Sequence, residues 1–209
     1  TVKLPAIFSD GMVIQRNTKA PLWGWAKPGE KVEVTASWGA SAEATAGKDG
    51  KWRLKLQTPQ AGGPFQVVVN KVTIKDVLVG EVWLCSGQSN MDCDLKFFTK
   101  KAAEKKYQPI VEYNRKEVKT AHDPQLRQIT VPHIHNPSPF EKHDDFKGSW
   151  FASKPGRNGD FTGTGYFFGR ALRRRLNVPV GLIQSAWGGT RVQPWIPKAA
   201  YRADSEMSD

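Results

Sequence analysis

The chain has 209 residues, 39% of them hydrophobic, enough to bury a sizeable core and too apolar for a disordered polypeptide. Its formal net charge of +11 comes from Lys and Arg spread over the whole length, concentrated only at residues 100–106 and at Arg173, Arg174 and Arg175. Both concentrations are mixed with helix-forming residues and read as solvated helix faces, which argues against a nucleic-acid partner, and no apolar stretch approaches the roughly 20 residues of a membrane-spanning helix.

In chain order, Val2 to about Ile74 reads as short alternating strands separated by turn signals, an all-β region. The "KPGE" at residues 27–30 offers Pro28 and Gly29 to a turn, and Asp49-Gly50 favours a tight hairpin between two strand-like runs. Strands at this spacing suggest a small β-sandwich, with a barrel as the alternative. At "DVLVGEVWLCSG" the texture changes to a nearly continuous apolar run, 77–85, as in buried parallel strands. We therefore divide the chain into a β-sandwich domain, 1–75, and an α/β domain, 76–209. Within the second, 91–119 reads as helix and loop interrupted by Pro109, and "LRQITVPH" as a strand. A long Pro- and Gly-rich connection follows, then a helix over 165–176, a turn at Asn177 to Pro179 and a buried strand over 180–184. Ligands of such parallel sheets sit beyond the carboxyl ends of the strands, where both Ser89 and Gly188-Gly189 fall.

The stretch "CSGQSNM" places Ser89 in a tight turn after the first of these strands. A serine hydroxyl becomes a nucleophile only when a base takes its proton and N–H donors receive the developing oxyanion. Unpaired N–H groups at a helix start and the bare backbone of Gly188-Gly189 suit the second need, and the Asn90 amide can orient the loop. The same residues are also good turn and N-cap chemistry, so the turn by itself leaves both roles open. Cys85 and Cys93 lack C-x-x-C or His-rich spacing and read as two buried thiols, neither disulfide nor metal site. Eight Trp and ten Phe suit aromatic packing or sugar platforms; Trp187 and Trp195 read as packing residues. Arg191 has the fork geometry for an acidic sugar's carboxylate, although a surface role is the commoner one.

Several words agree at once: "LPAIFSDGMVIQR", "PLWGWAKPGEKVEV", "DGKWRLKL", "DVLVGEVWLCSGQSNM", "GYFFGRAL" and "NVPVGLIQSAWGGTRVQPW". Together, over nearly the whole chain, they resemble the sialate O-acetylesterase family within the SGNH (GDSL-like) hydrolases. The resemblance implies a β-sandwich followed by part of a flavodoxin-like three-layer α/β/α hydrolase domain, and removal of acetyl groups from sugar hydroxyls without a cofactor or metal. It implies Ser89 as nucleophile, with the Ser89 N–H and that of Gly165 or Gly189 as oxyanion donors, and Gln88, Asn90, Thr190 and Arg191 near an acetylated sugar or sialic acid. Position 9 of sialic acid is the expected acetyl site, and the expected location is secreted or periplasmic. The family's base lies in an Asp-x-x-His segment that this chain lacks. His122, His133, His135 and His143 fall in the middle region without that context, so none is taken as the base. The catalytic His and its Asp are therefore expected from a second chain or a C-terminal portion. The rival expectation is a non-catalytic carbohydrate-binding module with an inactive hydrolase half.

Overall fold

The computed structural model describes residues 1–100, 105–134 and 145–203. Alternating sequence there produces alternating burial. Six strands, β1 (Val13–Gln15), β2 (Lys19–Trp25), β3 (Lys31–Ala36), β4 (Ser41–Thr45), β5 (Lys51–Gln57) and β6 (Gly62–Val69), lead into the sixteen-residue β7 (Val72–Gly87). Along β3 and β5 every second side chain turns inward, Val32 and Val34, then Trp52, Leu54 and Leu56, with charged residues between them. β2 pairs with β5 alone, whereas β4, β3, β6 and the first half of β7 form a larger sheet. One core joins the inner faces of the two sheets, with Leu22, Val34, Trp52, Leu56, Val69 and Ile74 at its centre.

Gly29 (φ +75°) and Gly50 (φ +73°) supply the left-handed conformations expected at the two turns. The Asp49-Gly50 turn nevertheless closes no hairpin, because β4 pairs with β3 and β5 with β2. Turn chemistry reverses the chain locally; which sheet the next strand joins is settled by where its inward row of side chains finds a core.

β7 changes partners along its length. Its first half runs antiparallel to β6 and, at Leu78, Val79 and Gly80, parallel to β1; its second half, from Glu81 to Gly87, runs parallel to β10 (Val180–Ala186). β8 (Asp123–Thr130) lies parallel on the far side of β10, and β9 (Phe151–Ser153), not foreseen in the sequence, lies antiparallel at the edge. The 75/76 division thus falls inside one strand. There Asp76 takes φ +54°, beside a register shift against β6, and its carboxylate receives Arg127 from β8 at 2.7 and 3.2 Å.

The run expected to be buried, 77–85, is buried at 77–80 and at Cys85 but not between them. Trp83 is 44% and Leu84 64% exposed, because β10 covers one edge of residues 81–87 and no described strand covers the other.

The helices are α1 (Ser89–Asp92), α2 (Phe97–Lys100), α3 (Gln108–Thr120), α4 (Gly163–Leu176) and α5 (Lys198–Ala203). Pro109 does not interrupt α3 but sits in its first turn, where the missing N–H costs nothing. α4 begins at the cap Thr162 and ends at Asn177 with φ +52°, a left-handed stop. Its buried side meets Leu126 and Leu182 in a second core that includes Cys85, Leu95, Phe161 and Tyr166. α3 packs on α4 through the Tyr166 hydroxyl, which donates to Glu117 at 2.7 Å. The opposite sheet face turns Ile129, together with Trp150 and Ile183, into the first core. Helices are expected on both faces; α3 and α4 lie on the Leu126 and Leu182 side, and the first core occupies the Ile129 and Ile183 side. Of the basic clusters, 101–104 lie outside the described residues, and Arg173 is no merely solvated cation: it bonds Asp123 at 3.1 Å and the Val178 carbonyl at 3.2 Å.

Candidate active site

The parallel strands β7, β10 and β8 deliver their carboxyl ends to one place, and the chemistry-bearing loops start there. β7 ends at Gly87, whose φ of +137° turns the chain sharply, and Ser89 follows as the first residue of α1. Ser89 is exposed, and among the described residues its hydroxyl hydrogen-bonds only its neighbour, Gln88 Oε1, at 3.5 Å. Beyond β10 the loop Trp187-Gly188-Gly189 lies flat against this turn. A Cβ placed on Gly188 would stand in ordinary contact with Ser89, 3.6 Å from its Cα and 3.7 Å from its Cβ, and tightly at 3.3 Å from Asp92 Oδ2, so the loop lies directly beside Ser89.

Asp92, one turn after Ser89 on α1, ties the two loops together. Its Oδ2 accepts the Gly188 N–H at 2.8 Å, and its Oδ1 lies 3.2 Å from His133 Nε2. His133 enters three residues beyond the end of β8, stacks on Trp187 with ring centroids 4.4 Å apart, and sets the same Nε2 2.8 Å from the Ala186 carbonyl. Sequence reasoning set aside all four histidines and missed Asp92. The available signals were the position of His133 beyond a parallel strand and the i, i+3 spacing of Ser89 and Asp92. His122 is elsewhere, at the start of β8, and His135 and His143 lie outside the described residues. Among the described residues no imidazole nitrogen contacts the Ser89 hydroxyl.

The other expected residues divide. Gly189 is exposed, with φ +77°, and its N–H has no partner among the described residues; the Ser89 N–H likewise. Gly165, expected as an alternative oxyanion donor, has its N–H buried and donated to the Thr162 hydroxyl at 3.1 Å, and a Cβ there would stand 2.9 Å from Cys85 Sγ. Gly188 spends its N–H on Asp92. Asn90 is exposed and anchors α1 to α4, its carbonyl accepting from Thr164 Oγ1 at 2.8 Å. Thr190 braces its own loop, donating to the Trp187 carbonyl at 2.7 Å and accepting from Trp195 Nε1 at 2.9 Å; Trp195 is 37% exposed rather than buried. Gln88 and Arg191 are exposed at the same end of the sheet. Beside Thr164 a hollow of about 340 Å³ opens between α3 and α4, lined by Leu95, Tyr113, Asn114 and Phe167. Cys85, directly behind the site, is free and buried, which pushes its thiol up to about 11; Cys93 is free but only half-buried.

Residues 79–206, which span this whole site, match the family described as carbohydrate esterase, sialic acid-specific acetylesterase. The chain belongs to that family. Among curated relatives of this acetylesterase family, sialate O-acetylesterase of Homo sapiens is 31% identical over 96% of this chain and that of Mus musculus 29% identical over 92%. A crystal structure of a carbohydrate acetylesterase from Xanthomonas citri superposes with a TM-score of 0.80 at 34% identity, covering 95% of this chain. The chain spans 40% and 37% of the two sialate O-acetylesterases and 43% of the Xanthomonas chain.

Proposed function

We propose that this chain carries the nucleophile half of a carbohydrate O-acetylesterase that acts on acetylated sugars, with 9-O-acetylated sialic acid as the first candidate substrate. The observation that carries the reading is Ser89, exposed beyond a parallel strand with the Gly188-Gly189 backbone against it. Ser89 Oγ attacks the acetyl carbonyl carbon as a base removes its proton, and the Ser89 and Gly189 N–H groups receive the oxyanion. The bond between the acetyl carbon and the sugar oxygen breaks, and the proton held by the base passes to that oxygen. Water then adds to acetyl-Ser89 and releases acetate.

The base belongs, in this reading, to polypeptide outside these 209 residues. The edge of β7 at residues 81–87 that no described strand covers, with Leu84 64% exposed, supports the addition of that polypeptide as a further strand there. Ser89→Ala in the full-length protein should abolish p-nitrophenyl acetate hydrolysis with the fold intact; unchanged turnover would end the assignment.

One observation favours the carbohydrate-binding alternative. A hollow of about 280 Å³ on the β2–β5 sheet is lined by Trp23, Trp25, Lys51 and Arg53, a platform suited to a sugar ring. A serine-directed fluorophosphonate separates the two readings, because labelling at Ser89 requires an activated hydroxyl.

A further inference from the structure

The contacts between His133, Asp92 and Gly188 form a chain whose direction follows from elementary chemistry. His133 Nε2 faces two oxygens, the Ala186 carbonyl at 2.8 Å and Asp92 Oδ1 at 3.2 Å. Neither oxygen can donate, so Nε2 carries the hydrogen and the bond is shared between them. Asp92 is thereby held from one side by an imidazole N–H, and its other oxygen is filled by the Gly188 N–H at 2.8 Å. Both ends of the chain are backbone of one segment, Ala186 and Gly188, with Trp187 between them lying against the face of the His133 ring. Asp92 itself belongs to α1, the helix that Ser89 begins. The result is a clamp that joins three strand ends, β8 through His133, β7 through α1 and β10 through its loop.

We propose that His133 and Asp92 are positioning residues that fix the Trp187-Gly188-Gly189 loop against Ser89, so that the Gly189 N–H is held where an oxyanion forms. The inference rests on the esterase reading above and adds to it a role for two residues within this chain. Neither residue touches the reacting atoms. The Gly188 N–H, satisfied by a carboxylate, cannot turn toward the substrate, which leaves its neighbour Gly189 as the loop's donor. Displacement of such a donor by about 1 Å costs on the order of a hundredfold in rate, comparable to removal of the donor itself, about 10²–10³-fold.

Two substitutions at one position separate positioning from mere packing. His133→Phe keeps an aromatic ring on Trp187 and removes the N–H; His133→Gln loses the stack and keeps an amide N–H within reach of Asp92. In the full-length protein, with p-nitrophenyl acetate, the expected kcat of His133→Phe falls about a hundredfold with KM within about twofold, and His133→Gln recovers to within about tenfold of wild type. Asp92→Asn, which turns a donor toward Nε2–H or gives up the Gly188 bond, should resemble His133→Phe. Hydrogen exchange at the Gly188 amide is read in parallel: protected in wild type, it should open in His133→Phe and Asp92→Asn. Equal exchange in all of them, wild-type kcat in His133→Phe, which would mark His133 as a packing residue, or His133→Gln as impaired as His133→Phe, which would mark it as a base, would overturn the proposal. Should wild type neither turn over substrate nor label at Ser89 while the Gly188 amide still opens in the variants, the esterase reading fails and the clamp stands.

Discussion

Replacing Gly165 by Ala separates two roles that the family motif "GTGYFF" leaves together. Alanine keeps the N–H, so an oxyanion donor at this position would survive the change. In the structure the added methyl would meet Thr162 Cγ2 at 2.5 Å, Cys85 Sγ at 2.9 Å and Cys85 Cβ at 3.4 Å. Two of those distances are shorter than carbon or sulfur tolerates, and none of these atoms ends a flexible side chain. Overpacking of this kind costs about 1–3 kcal/mol. A shift of α4 to relieve it would strain the bond from Gly165 N–H to the Thr162 cap, worth about 1 kcal/mol. Against this, Ala is favoured over Gly within a helix by about 1 kcal/mol. The net expectation is a loss of about 2 kcal/mol, read as a lower urea midpoint with an unchanged m-value. Thr162→Ser removes the methyl at 2.5 Å and retains the capping oxygen, so the double variant should recover part of the loss. Stability equal to or above wild type in Gly165→Ala, or strictly additive effects in the pair, would refute the packing assignment.

Further outcomes follow from the same contacts. Asp76→Ala removes the partner of the buried Arg127 guanidinium and places alanine at φ +54°; with the Asp76 side chain 50% exposed, we expect a loss of about 1–2 kcal/mol. Asp76→Asn, which tolerates that backbone and still accepts a hydrogen bond, should lose less, a ranking that chemical denaturation can check. Burial holds the Cys85 thiol near 11 against an ordinary 9.0, so iodoacetamide at pH 8.5 should modify half-buried Cys93 first. Between pH 9 and 11 the unfolded thiol ionises while the folded one keeps its proton, so stability falls as pH rises there. Cys85→Ala should flatten that fall in urea midpoints; an unchanged slope would remove Cys85 as its source.

Much of the outline was legible because it is local. Alternation along β3 and β5 marks an inward row of apolar side chains, and the helix read over 165–176 is found at Gly163–Leu176, stopped at Asn177 where a turn was expected. Ser89 stood out for the same reason: an apolar strand halting at Gly87 is a feature of neighbouring residues. Pro109 was misread because a proline inside a helical pattern and one at its first turn look alike until the preceding chain is placed.

The amino-acid sequence by itself determined most of the strand segments, the helix before β10, the glycine turns, a serine in the turn after a strand and the family words around it. Only the tertiary structure decided which strands pair, that β7 changes partners midway along its length, and that the Gly165 N–H is taken by the Thr162 hydroxyl. It also brought His133, forty-one residues after Asp92, to that carboxylate at 3.2 Å. The division has a physical cause: capping, turns and alternation depend on contacts a few residues apart, whereas the clamp behind Ser89 exists only because three strand ends share one edge of a parallel sheet.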